Sequence, residues 1–227
     1  MALNSKLYGR RTSVEMVFDH LYQEIVSMRL LPGTKISEAE IATMFDISRQ
    51  PVRDAFSRLE NLDLLLIRPQ KATEVRGFSN TAITTARFVR LSVESEVLRR
   101  AARTCNQAGK AELQKHLDQQ QKAVDSNDTD AFRNLDYDFH KELCAIGGVG
   151  YAFDVIAKEK AKVDRLCVLG LSRDDRLGQL LDDHTEIAEM ISFNNEHGAV
   201  TAGVKHLSRL DATIKTIRDE NSDFFID

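Results

Sequence analysis

A chain of 227 residues, 42% hydrophobic and 29% charged, has the composition of an ordinary globular protein with room for two modest domains. No apolar run approaches the roughly 18 residues that span a bilayer, and the chain opens on no secretory core, so a cytoplasmic location and no membrane partner are expected. The net charge of −4 speaks against non-specific coating of nucleic acid, and Cys105, Cys144 and Cys167 form neither a disulfide framework nor a C-x-x-C pair.

The charge is unevenly spread. Residues 1–77 hold 11 Lys/Arg against 10 Asp/Glu and the remainder 20 against 25, which permits a DNA-binding surface in the first third. Residues 1–12 read as a flexible basic arm. From Ser13 to Met28, Val14, Val17, Phe18, Leu21, Ile25 and Met28 recur at helical spacing, and Leu31-Pro32-Gly33 marks a turn. Ser37-Glu38-Ala39-Glu40 predicts a capping box opening a helix with Ile41, Ala42 and Phe45 on its inner side. Ser48 then caps a second helix, with Pro51 tolerated in its first turn. That helix buries Val52, Ala55, Phe56 and Leu59 and shows Arg49, Gln50, Arg53 and Ser57 outward. Leu64–Ile67 and Thr73–Val75 flank Arg68-Pro69-Gln70-Lys71, a short hairpin with a basic tip.

Two short helices around a tight turn, the second basic at its outer N-terminus, describe a helix-turn-helix. Arginine matches the guanine O6 and N7 acceptors in the major groove and glutamine matches adenine. Arg49, Gln50 and Arg53 sit where such contacts are made, and Lys71 is placed for a phosphate or the minor groove. A lone arginine pair would more often be a solvated helix face; two caps, a turn, a buried inner face and a following hairpin together favour DNA.

Beyond about residue 80 the pattern is helical throughout. Helices are predicted over about 81–105, 109–125, 129–146, 151–170, 174–195 and 199–220, with breaks at Gly109, Ser126-Asn127-Asp128, Gly147-Gly148, Gly170 and Gly198. The expected fold is mainly α: a winged helix-turn-helix with a short β-hairpin wing over 13–77, then an antiparallel six-helix bundle over 78–227.

Asp136 and His140 stand four apart and share a helix face. His184 and His206 flank the predicted Gly198 turn at similar distances, so an antiparallel hairpin would set their rings at similar heights. One Asp and three His facing a bundle interior suit a first-row metal. Taken singly, an Asp-x-x-x-His pair on a helix is more often a surface contact, and a lone histidine more often a solvated or satisfied side chain than a ligand. Arg90 and Glu94 form an i, i+4 pair in which Arg90 either meets a carboxylate ligand or is bound structurally to Glu94. Cys144, four after His140, reads as a small buried residue.

The run from Leu31 to Val75 resembles the GntR family of winged helix-turn-helix regulators, whose motif is matched by Ser48-Arg49-Gln50-Pro51-Val52-Arg53-Asp54. The resemblance implies that Arg49 and Arg53 contact operator DNA and that Ser48 holds backbone phosphate. Two positions depart from the pattern: Asp46 and Ala72 stand where the family usually has glycine, in the turn and the wing. The remainder is similar to the helical FCD effector domain of the FadR-like branch, in its short VanR-type form. Its Asp-x-x-x-His, His, His pattern maps onto Asp136, His140, His184 and His206. That implies a divalent metal, often zinc and sometimes nickel or manganese, helping to hold an organic-acid effector, with Arg90 and Glu94 matching an Arg-x-x-x-Glu motif. A homodimer on an inverted-repeat operator is expected from the family and from helix-turn-helix geometry. A metal-sensing regulator, a structural zinc site and a metal-dependent hydrolase are the alternatives; no activated nucleophile or general base is legible for the last.

Overall fold

The computed structural model describes residues 12–171, 176–209 and 211–226. The predicted arm therefore lies, except for Thr12, outside the described residues. The chain divides into two compact units between Gly77 and Phe78.

In the first unit α1 spans Ser13–Val26 and starts at a full capping box: the Thr12 hydroxyl takes the Glu15 N–H, and the Glu15 carboxylate takes the Thr12 N–H. Helix α2 (Glu38–Phe45) follows the two-residue strand β1 (Lys35–Ile36), and α3 spans Arg49–Asn61. Of the box predicted at Ser37, the serine half is present, its hydroxyl accepting from Glu40 N–H at 3.1 Å. Asp46 closes α2 in the left-handed region at φ 52°, ψ 50°, which a short acidic side chain tolerates better than most. Strands β2 (Leu65–Leu66) and β3 (Thr73–Val75) pair antiparallel, and β1 joins β3 on its other edge, giving the order β1-β3-β2. The apolar residues predicted for α3 are all buried, against Val17, Leu21 and Ile25 of α1 and Leu64, Leu65 and Val75 of the sheet region.

The second unit is built on seven described α-helices: α4 (Asn80–Thr104), α5 (Gln107–Asp125), α6 (Thr129–Ile146), α7 (Ala152–Leu171), α8 (Arg176–Ser192), α9 (Glu196–Ser208) and α10 (Asp211–Glu220), ending in a 3-10 turn at Ser222–Phe224. The helix predicted over 199–220 is thus carried by two, α9 and α10. Long α4 packs against α6, α7, α8 and α9. The core between them holds Val97, Leu98, Ala101, Phe139, Leu143, Ile187, Ile191 and Ala202. The C-terminal segment returns to the start of this unit: Phe78 N–H donates to Phe224 O at 2.7 Å and Ile226 N–H to Phe78 O at 2.9 Å.

Gly203 lets α9 approach α4 closely, because a Cβ there would collide with Leu98 Cδ1. Leu98 is 3% exposed and must leave its rotamer to make room. Gly203→Ala is therefore expected to cost about 1–3 kcal/mol, as overpacking does. A denaturant titration following the second unit checks this; an unshifted midpoint would show that Leu98 repacks without cost.

Candidate metal centre and DNA-contacting face

Three helices bring the four sequence-predicted ligands together. Asp136 and His140 come from one face of α6, His184 from α8 and His206 from α9; one ligand atom of each lies within 4.8 Å of the others. All four are buried, at 8%, 3%, 0% and 9% exposure. The His184 and His206 rings are 4.7 Å apart between centroids, and His140 lies 5.7 and 5.5 Å from them. The turn joining α8 to α9 falls at Phe193–Asn195, with Asn194 left-handed, rather than at Gly198, which lies inside α9.

Neighbouring side chains fix which nitrogen two of the rings offer. His140 Nδ1 lies 2.7 Å from Glu94 Oε2, and His184 Nδ1 lies 2.7 Å from Gln120 Oε1. An acceptor at Nδ1 places the proton there and leaves the Nε2 lone pair for a metal. Both Nε2 atoms are buried without a hydrogen-bond partner, as is His206 Nδ1, which lies 3.7 Å from Asp183 Oδ2. The two partnerless Nε2 atoms, converging on one carboxylate oxygen, fit a divalent cation. Asp136 Oδ1 lies 3.3 Å from His184 Nε2 and 3.7 Å from His140 Nε2.

Electrostatics favour the ligand forms. Burial pushes His184 down to about 4 against the upward pull of the Asp136 carboxylate, so the ring is neutral at physiological pH. His206 is lowered too, again chiefly by burial. Burial alone would raise Asp136, but the Lys160 ammonium, 2.5 Å from Oδ2, together with His184 and His140 outweighs it and holds the carboxyl well below its usual range.

Arg90 pairs with Glu94 and also borders a pocket. Its Nε donates to Glu94 Oε1 at 2.8 Å, and the residue also lines a pocket of about 330 Å³ together with Asp136 and His206. Burial would lower Arg90; Glu94 and Asp164 outweigh that and raise it above the ordinary arginine range. The pocket also meets Lys160, Asp164 and Cys167 of α7. Lys160 donates to Asp164 Oδ1 at 2.7 Å.

Gln120, Lys160, Asp164 and Asp183 were not singled out by the sequence. A signal existed for three of them. Gln120 continues the buried stripe Leu113–Leu117 on α5, and Lys160 and Asp164 interrupt the buried Ile156–Leu166 stripe on α7. Cys144 is core, with 0% exposure. Its thiol is pushed up to about 12 by burial and then by Glu94, and the Cys167 thiol to about 11 by burial and then by Asp164. Both are expected to resist iodoacetamide at pH 7.5 in the folded chain and react once it is unfolded; mass spectrometry of the labelled chain decides.

On the first unit, Ser48, Arg49, Gln50 and Arg53 lie exposed at the start of α3. Ser48 occupies the N-cap with no side-chain capping bond, which leaves its hydroxyl for other partners. Arg53 donates to Glu38 from Nε at 3.1 Å and Nη2 at 2.9 Å, and Gln50 donates to Asp54 at 2.8 Å. Lys71 is exposed at the wing tip, after a turn in which its N–H donates to Arg68 O and Gln70 takes φ 58°.

Residues 13–75 match the family described as bacterial regulatory proteins, gntR family, and residues 86–209 match the FCD domain. The transcriptional repressor RspR of Escherichia coli K12 is 32% identical over 225 residues, 99% of each chain. This chain belongs to the GntR family. Its members are transcriptional regulators that bind operator DNA, not enzymes, which sets the hydrolase reading aside. A probable D-xylose utilization operon repressor of Paenarthrobacter nicotinovorans is 29% identical, over 92% of this chain and 91% of that one. The solved structure of E. coli McbR/YncC shares the fold of this GntR regulator at a TM-score of 0.77 and 16% identity, covering 93% of this chain and 99% of that one. Among the described residues no helix is long and apolar enough to cross a membrane.

Proposed function

We propose that this GntR regulator is a cytoplasmic repressor whose operator affinity is set by a small organic acid bound at a metal in the FCD domain. Two relatives named as repressors support the sign of regulation. In this reading a homodimer presents two copies of α3 to the half-sites of an inverted repeat. Arg49, Gln50 and Arg53 read bases, Ser48 holds phosphate, and Lys71 reaches backbone or minor groove. Zinc, or nickel or manganese in its place, is held by Asp136, His140, His184 and His206 and supplies a Lewis-acidic position for an effector oxygen. Arg90 meets the effector carboxylate. The observation that carries the reading is that two members of the four-ligand cluster, Asp136 and His206, line the same pocket as Arg90.

The test titrates the full chain onto DNA from its own upstream region, zinc-loaded or chelator-treated, with and without carboxylic acids. The expected result is selective binding to an inverted repeat and at least tenfold weaker binding when acid and metal are both present. No discrimination from random DNA would overturn the regulator reading. The cluster already offers the four protein ligands of a closed zinc site, which favours a second reading, a sensor of the metal itself; release by zinc with no acid would select it.

A further inference from the structure

Phe78, the first residue after the unit that carries α3, is 2% exposed and gripped through both backbone and ring. The grip comes from the segment that follows α10. Phe78 N–H donates to Phe224 O at 2.7 Å, and Phe78 O accepts from Ile226 N–H at 2.9 Å, which makes a parallel bridge with Phe225. The Phe78 and Phe225 rings lie 5.2 Å apart, and the Arg165 guanidinium of α7 stands 4.6 Å from the Phe78 ring centre. Neither Phe78 nor residues 221–226 fall within the stretch 86–209 that matches the FCD domain.

The residues on either side of Phe78 are anchored as well. Arg76 N–H donates to Leu64 O at 2.9 Å, which ties Arg76 to the first unit. Ser79 caps α4, its hydroxyl accepting from Ala82 N–H at 3.2 Å. With Phe78 gripped, Gly77 alone stands in the sequence between anchored residues. With Phe78 released the loose stretch is Gly77-Phe78, and the added residue must be ordered again whenever the DNA-contacting unit takes a fixed position. Ordering one residue's backbone lowers an equilibrium by about tenfold.

We propose that residues 221–226 are a latch on the linker, holding Phe78 so that the two DNA-contacting units of a dimer are restrained rather than free to swing. This rests on the dimeric operator reading above and adds the device that sets affinity for paired half-sites. Opening the latch weakens binding to two half-sites at once and leaves binding to one half-site unaffected.

The test is fluorescence anisotropy on an inverted repeat and on a single half-site from the chain's own upstream region. It compares the full chain, a chain ended after Glu220 and Ile226→Pro, with the assembly state of each measured by sedimentation. Ile226→Pro removes one latch donor, and Phe225 already has the extended backbone (φ −99°, ψ 143°) that a following proline requires. The shortened chain is expected to bind the inverted repeat tenfold or more weakly and Ile226→Pro to show a smaller loss. Both are expected to bind the single half-site as the full chain does. Unchanged binding by the shortened chain, equal losses on the two DNAs, or a loss that tracks a failure to dimerise would overturn the latch. So would a loss in the shortened chain that Ile226→Pro does not share. A full chain that binds the two DNAs alike would remove the dimeric reading and the latch with it.

Discussion

Replacing Arg49 and Arg53 together by alanine is expected to abolish operator selectivity while leaving weak, salt-sensitive binding to any duplex. In the proposed reading each arginine offers its fork to a guanine, a contact worth about 1–3 kcal/mol of discrimination. Losing both lowers specific affinity by about 10² to 10⁴. Arg53 is also the partner of Glu38, whose two oxygens hold the guanidinium by a paired hydrogen bond across α2 and α3. That pair is largely exposed, so its loss alters the aim of the side chain more than the stability of the unit. Lys71→Ala serves as the contrast, weakening binding evenly across sequences. Fluorescence anisotropy on the inverted repeat and on scrambled DNA separates the two. If the double substitution lowers affinity equally on both, Arg49 and Arg53 do not read bases.

The second large effect is expected at Lys160. Its ammonium sits between Asp136 Oδ2 and Asp164 Oδ1, and all three residues are less than a tenth exposed. Lys160→Met keeps much of the volume but leaves two carboxylates buried side by side without their shared cation. Breaking a buried pair in this way costs about 3–5 kcal/mol. Zinc at Asp136 would restore part of the lost positive charge, so the deficit is expected to shrink in the zinc-loaded chain. Urea titrations of the second unit, with zinc and with chelator, measure both numbers. A loss under about 1 kcal/mol would mean that one carboxyl takes up a proton and the ammonium is not the anchor described.

Much of this was legible in the sequence because local signals and burial agree. Helix α3 carries its apolar residues at 52, 55, 56 and 59, behind a serine N-cap and a proline in the first turn, and every one of those positions is buried. The left-handed Asp46 follows from the tolerance of acidic side chains for that region. Gly109 and Gly198 misled as helix breaks. Each is the third residue of its helix, its N–H taken by the side chain of Asn106 or Asn195, so the asparagine cap and not the glycine marks the start. The end of α9 carried no warning, since neither glycine nor proline stands between Ser208 and Asp211.

The candidate ligands were legible for a similar reason. Four-residue spacing on α6 and near-equal spacing about the α8–α9 turn are one-dimensional facts that the bundle converts into proximity. The supporting residues were not, because their partners lie far away in the chain. Gln120 meets His184 across 64 positions, and Lys160 meets Asp136 from a different helix. An i, i+4 lysine–aspartate pair such as Lys160 and Asp164 ordinarily marks a solvated face. Only its place within an apolar stripe distinguishes it, and that becomes decisive once the helix is seen buried.

The central claim, a metal-centred effector site in the FCD domain, is tested most directly by metal analysis of the purified chain. The comparison is a variant with alanine at Asp136, His140, His184 and His206. The account predicts about one divalent metal per chain, lost in the variant, with the first unit still folded and still binding DNA. Metal absent from both proteins, or retained in the variant, would contradict it.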